Sequence, residues 1–209
     1  MLAIFKREFK SYFQNVIGWL FVAALLAVYG LYFYVYNLKN GYPYISYDLN
    51  GIGFIMMIAV PILTMRSLSD EKKTKTDQLM LTSPVSVGRI VAGKYFAMAA
   101  VYTIDIALFA LSPLVLSIYG KVALSEAYVA LFGYWLYGLS CIAVGLFISS
   151  ISESVIISAI LTFTALFLSY MMQSITGLIS SSGNLLTKVL NCFDLYTPFE
   201  NFVSGCFSV

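Results

Sequence analysis

The sequence predicts an all-α polytopic membrane protein, and three observations carry that prediction. Of the 209 residues, 60% are hydrophobic and 11% charged, with a mean hydropathy of +0.87, whereas a soluble domain carries about 25% charged residues. The apolar residues fall in several unbroken runs of about the 20 residues that a helix needs to cross a bilayer. Those runs lack the alternation of barrel strands, and only helices or closed barrels satisfy the backbone in lipid. The net charge of +2 favours neither nucleic acid nor an acidic substrate.

The chain opens with MLAIFKREFKSYFQN, in which Leu2, Phe5, Phe9, Tyr12 and Phe13 recur at helical spacing between Lys6, Arg7 and Lys10. This pattern suits an amphipathic helix over 1–15 lying on the membrane surface; the alternative is that it begins the first span. The apolar run 17–36 follows. It is longer than a signal peptide's apolar region of roughly 7 to 15 residues and no small-residue cleavage site closes it, so it reads as a retained span ending in an aromatic belt of Tyr29, Tyr32, Tyr34 and Tyr36.

A polar loop is expected over 37–50. The second apolar run, 51–65, is interrupted by Pro61 and is short for a span at about 1.5 Å per residue, so the span is placed at 47–66 with Arg66 reaching back to the interface. Three further runs predict spans over 95–118, 127–150 and 155–173. Five spans emerge. The tail, 174–209, mixes Phe193, Leu195, Tyr196, Phe199 and Phe202 with Asp194 and Glu200, a composition for an interfacial or re-entrant segment rather than a sixth span.

Orientation follows from the distribution of cations between loops. With the N-terminus in the cytoplasm, Lys6, Arg7, Lys10, Arg66, Lys72, Lys73, Lys75, Arg89 and Lys94 lie inside, and Lys39, Lys121 and Lys188 lie outside. The N-terminus is therefore cytoplasmic, as is the segment 67–94, and the tail is external.

The polar stretch RSLSDEKKTKTDQLMLTSPVSVGRIVAGK over 66–94 is the long interruption in an otherwise apolar chain. Its cations are mixed with Asp70, Glu71 and Asp77, which suits a protein partner better than a lipid surface. Ser69 or Asp70 is expected to cap a short helix running through Gln78 and Leu81. Ser83 and Pro84 break it, and 85–94 forms a second helix leading into the third span. The bland alternative is a solvated loop with no partner.

Several chemistries are excluded. The sequence contains no histidine, which removes histidine-based triads and metal sites. Gly88, Gly93 and Lys94 match the spacing of a phosphate-binding loop, but Tyr95 stands where Ser or Thr must meet magnesium and no strand precedes it. Asp105 is a lone carboxylate near mid-span, a possible functional site or a group satisfied by Thr103 and nearby tyrosines. Glu153, in the turn between the fourth and fifth spans, is a possible second cytoplasmic contact. Cys141 reads as apolar packing, and Cys192 with Cys206 could form a disulfide in the tail.

The insert with its flanks resembles the permease subunits of type-2 ABC exporters, in particular the gliding-motility-like branch. The resemblance rests on FKREFKSYF at 5–13, PILTMR at 61–66, EKK at 71–73, TDQLMLTSPVS at 76–86, IVAGKYFA at 90–97 and DLYTPFENF at 194–202. It implies a membrane-spanning half that pairs with a second permease half, the same or a different chain, and with ABC nucleotide-binding subunits. ATP and Mg would be held on those subunits, with no cofactor, catalytic residue or metal in this chain. Arg66, Glu71, Thr76, Asp77 and Pro84 would couple ATPase closure to the helices, in an inner-membrane exporter. The chain departs from the family pattern twice. Lys75 occupies a position that is usually Gly, and the family's sixth span is not present by Val209. Two rivals remain open at this point: a non-translocating membrane scaffold that passes ATPase motion to an external partner, and an ion-conducting pore built around Asp105.

Overall fold

A computed structural model describes residues 2–75, 86–119, 122–179 and 194–203, with side chains left undescribed at 173–179, 201 and 203. Among the described residues helices, joined by short turns, make up the fold, and there are no strands. Five helical stretches are long and apolar enough to cross a membrane: Val16–Lys39, Ser46–Lys73, Val87–Tyr119, Leu124–Ile151 and Val155–Met172.

Helix α1 (Leu2–Gln14) is amphipathic and separate from the first span: Asn15 is extended at φ −91°, ψ 153° before α2 (Val16–Phe33) begins. Phe5, Phe9, Phe13 and Trp19 form a continuous aromatic row across that corner, and the Trp19 indole N–H donates to the Phe13 carbonyl at 2.9 Å. The corner satisfies a backbone acceptor that a helix end would otherwise leave open.

The segment expected as a loop over 37–50 is largely helical. A π-helical turn, Tyr34–Lys39, prolongs α2, and α3 (Ser46–Thr64) starts soon after. Asn37 on the π turn donates to Asp48 on α3, and both side chains are buried. A polar pair hidden between two helices carries the same local sequence signal as a solvated loop, which is why composition misplaces it.

Helix α3 is the centre of the bundle, packing against α2, α7 (Leu124–Ile151) and α8 (Val155–Ile179). Leu49, Ile52, Met56, Met57, Val60 and Leu63 are all completely buried. Pro61 sits inside this helix, yet its carbonyl still accepts from Met65 N–H at 2.9 Å, so the helix continues through it.

Of the insert helix expected through Gln78 and Leu81, the structure describes α4 (Ser69–Lys73), and Gln78 and Leu81 lie outside the described residues. Leu68, not Ser69 or Asp70, occupies the α4 N-cap, and α4 ends where Lys75 adopts a left-handed φ of 55°. The expected second helix also differs: α5 (Val87–Phe109) runs through Lys94 without interruption, so the expected insert helix and the start of the third span are one element. Gly88 to Lys94 therefore lie on a helix and form no phosphate-binding loop.

The third span breaks at Ala110 and Leu111, and α6 (Ser112–Tyr119) takes over. Ser112 and Pro113 open the new helix, where a proline's missing N–H and fixed φ are tolerated. The tail contributes α9 (Tyr196–Val203), which packs on α7, α8 and α3. Phe199 is 2% exposed and stacks on Tyr137 with ring centroids 5.3 Å apart, so this part of the tail is built into the bundle. Two small residues let α7 approach its neighbours. A Cβ at Gly138 would collide with the Tyr102 ring of α5, and one at Gly145 with Thr64 of α3.

Candidate functional site

The insert emerges from α3, and its described residues are fastened to the bundle at two places. At the first, Ser149 near the end of α7 offers its hydroxyl to the insert. Its Oγ accepts from the backbone N–H groups of Leu68 and Ser69, each at 3.2 Å, and shares a 2.9 Å hydrogen bond with Ser69 Oγ. These contacts occupy donors at the start of α4 that would otherwise lack partners. Lys72 donates to the Ser150 carbonyl at the same helix end, where free carbonyls and the helix dipole favour a cation.

At the second place, Lys94 of α5 reaches across to the insert and to α1. Its ammonium donates to Ser67 O at 2.9 Å and to Glu71 Oε1 at 2.7 Å, and lies 3.5 Å from Glu8 Oε1. Lys94 is 2% exposed while Glu8 and Glu71 are 15% and 18% exposed. An ammonium has three protons to place, and here three oxygens surround it, two from the insert and one from α1. Arg7 adds a second cation, 2.8 Å from Glu8 and 4.0 Å from Glu71. Tyr12 donates weakly to the Leu63 carbonyl at 3.4 Å, and burial, then the Glu8 carboxylate, pushes its hydroxyl well above the usual tyrosine range. A cleft of about 450 Å³ lies over this junction, lined by Arg7, Glu8, Arg66, Asp70, Glu71 and Lys94 among others.

Glu71 thus points inward to Lys94, while Arg66, Asp70, Lys73 and Lys75 are exposed. Thr76, Asp77 and Pro84 lie outside the described residues, as do Cys192 and Cys206. Glu153 is exposed in the turn that follows Ser149 and Ser150, close to the insert in the chain's own geometry. Lys75 adopts a left-handed backbone at φ 55°, which costs a residue with a Cβ about 1–2 kcal/mol.

Asp105 lies away from this junction, deep in the bundle. It is completely buried, and neither carboxylate oxygen has a hydrogen-bond partner among the described residues. The groups expected to satisfy it are engaged elsewhere: Thr103 donates to Ala99 O at 2.7 Å and accepts from Trp135 at 3.1 Å, and Tyr102 donates to Tyr134 O at 2.7 Å. The Tyr134 hydroxyl is itself without a hydrogen-bond partner among the described residues. Surrounding rings of Tyr102, Tyr134, Tyr137, Phe109 and Phe199 make one aromatic layer. Among the described residues no group of three or more acidic or cysteine side chains is placed to hold a metal ion.

Sequence reasoning named Glu71 but missed its partners. Lys94 was legible only as one more cation of the insert, and Glu8 was hidden in the amphipathic pattern of α1. The available signal was a lysine at the edge of an apolar run, a residue that lipid would exclude unless an acid met it.

No curated protein and no solved structure matches the chain. The profile described as ABC-2 family transporter protein matches residues 32–206, a range that takes in α3 to α9 and the whole charged insert. The chain accordingly belongs to the ABC-2 transporter family, as a multi-pass membrane permease component whose ATPase resides on separate subunits.

Proposed function

We propose that the chain is the membrane-spanning half of an ATP-driven exporter, in which the segment 66–94 passes the motion of an ABC ATPase into the spans. The observation that carries this reading is the junction around Lys94. One ammonium joins the insert through Glu71 and Ser67, α1 through Glu8, and the third span through its own backbone, while Ser149 ties the same insert to α7. A displacement of the insert is therefore delivered to α1, α3, α5 and α7 together, as a rigid lever rather than through a slack loop. The partner would meet the exposed side, at Arg66, Asp70, Lys73 and Lys75 with Thr76, Asp77 and Pro84, and Glu153 in the neighbouring turn offers a second contact. Complementary charge there sets register more than raw affinity. In this arrangement the N-terminus and insert face the cytoplasm of a cell whose inner membrane holds the complex, two permease halves enclose the path, and ATP with Mg is held on the partner.

Co-purification with the ATPase tests the docking surface. Charge reversal at Asp70 and Asp77 together is expected to abolish it, and undiminished co-purification would exclude this surface. Substrate-stimulated ATPase activity in reconstituted vesicles separates transport from scaffolding. Scaffolding through an external partner is less well supported, because α9 of the tail is packed inside the bundle with Phe199 buried. Conduction through Asp105 is also less well supported, because that carboxylate is wholly enclosed within one half.

A further inference from the structure

Outside the charged junction, a groove of about 520 Å³ runs between α5 and α7, floored by Ala99, Ala100 and Ala107 and walled by Phe96, Trp135 and Leu139. Its volume falls within the roughly 300–1,000 Å³ of small-ligand sites, but its chemistry is one-sided. The polar atoms in its wall are already engaged with each other, since the Trp135 indole donates to Thr103 and Thr103 donates to the Ala99 carbonyl. A polar occupant would find nothing to bind, and hydrocarbon loses nothing there. The small side chains are the reason for the groove. Alanine at 99, 100 and 107 leaves a furrow where leucine would fill it.

Its length and position select the occupant. From Phe96 to Ala107 the groove follows about 16 Å of helix at ~1.5 Å per residue, close to half of the ~30 Å hydrocarbon core. That is the reach of one leaflet. Phe5 of α1 lines the end nearest the insert, because Glu8, one turn further along α1, meets Lys94. Beyond that end stands Arg89, seven residues before Phe96 as Phe96 is seven before Thr103, so all three share a helix face. Arg89 is exposed, and no acid among the described residues pairs with it.

From this juxtaposition we infer that the α5–α7 groove holds one acyl chain of an anionic phospholipid from the leaflet on the insert side, with its phosphate on Arg89. A cation at the membrane surface attracts anionic headgroups, and the planar guanidinium suits phosphate. The assignment requires only the membrane bundle and is independent of the ATPase.

The test uses the full chain in phosphatidylcholine vesicles containing a phosphatidylglycerol with a diazirine midway along one acyl chain. After irradiation, label should concentrate on 99–107 and 135–139 rather than on the outward face of α8 at Ile160 and Phe163. Unlabelled phosphatidylglycerol should compete about fivefold better than phosphatidylcholine, the factor expected of a single cation at the lipid surface. Ala100→Phe, which fills the furrow, should remove the concentrated label. Arg89→Gln lies on an exposed face and should retain chain labelling while losing the headgroup preference, so it remains informative if Ala100→Phe does not fold. Even labelling of all lipid-facing helices, label undiminished in folded Ala100→Phe, or a headgroup preference unchanged in Arg89→Gln would each overturn the assignment.

Discussion

Lys94 and Asp105 sit on the same helix, about three turns apart and on the same buried face, and they reach opposite outcomes. Lys94 is surrounded by Glu71, Glu8 and the Ser67 carbonyl, whereas Asp105 meets aromatic rings and has no hydrogen-bond partner among the described residues. Burial of a charge is costly unless partners replace water. At the insert end, α1 and α4 can fold over the end of the bundle and bring backbone carbonyls and carboxylates to the lysine. At mid-span every neighbour is another apolar helix with its backbone already bonded. The comparison teaches that burial of an ionisable group in this chain has two outcomes: at the junction it fastens elements together, and in the aromatic layer it goes without a hydrogen-bond partner among the described residues.

Breaking the lysine should have the largest effect. Lys94→Met takes the buried ammonium away from Glu8 and Glu71 and leaves them only the exposed Arg7, and we expect a loss of about 3 kcal/mol, read as a lower thermal midpoint in detergent or as failure to purify as a single species. Combining it with Glu71→Gln should recover part of that loss, and a double-mutant cycle measures the coupling. Strict additivity would contradict a direct pair.

Asp105 should respond in the other direction. Asp105→Leu removes a buried polar group that has nothing to bond, so the midpoint should hold or rise by a margin equivalent to about 1 kcal/mol. If transport fails while stability rises, the carboxylate serves the translocation path. A clear destabilisation would show that the group has a partner after all.

Smaller changes sharpen the junction side of the contrast. Ser149→Ala deletes the acceptor shared by Leu68 and Ser69 N–H and should cost about 1 kcal/mol, with faster hydrogen exchange at those two amides as its local signature. The smallest change is Lys75→Gly, which relieves the left-handed residue at φ 55°. A stabilisation of under about 1 kcal/mol is expected, because glycine also gains freedom in the unfolded chain. A drop in stability would mean that the lysine side chain contributes a contact larger than its backbone strain.

The readable and unreadable parts of the fold divide by range. The five spans were legible because length and apolarity are properties of each run taken alone, and the separate α1 because its apolar residues recur at helical spacing. The break before α6 had a local signal in Ser112 and Pro113 that hydropathy averaging passed over. The burial of Asn37 and Asp48 had none, since a polar pair facing each other between α2 and α3 is compositionally identical to two loop residues in water. For the same reason Thr103 and the tyrosines were plausible partners for Asp105 by proximity in sequence, and the structure turns them toward Ala99, Trp135 and Tyr134 instead.

By itself the sequence determined that this protein lives in a bilayer, which five stretches of the described residues can cross it and where the charged insert interrupts the crossings, because each of those follows from transfer free energies summed along a local stretch. Only the tertiary structure decided which charges of the insert face outward and which are fastened inward, because that depends on Glu8 of α1 and Ser149 of α7, far away in the chain, arriving within hydrogen-bond reach. An ionic contact at under 3 Å depends on where a partner ends up in space, and no local window of sequence contains that information.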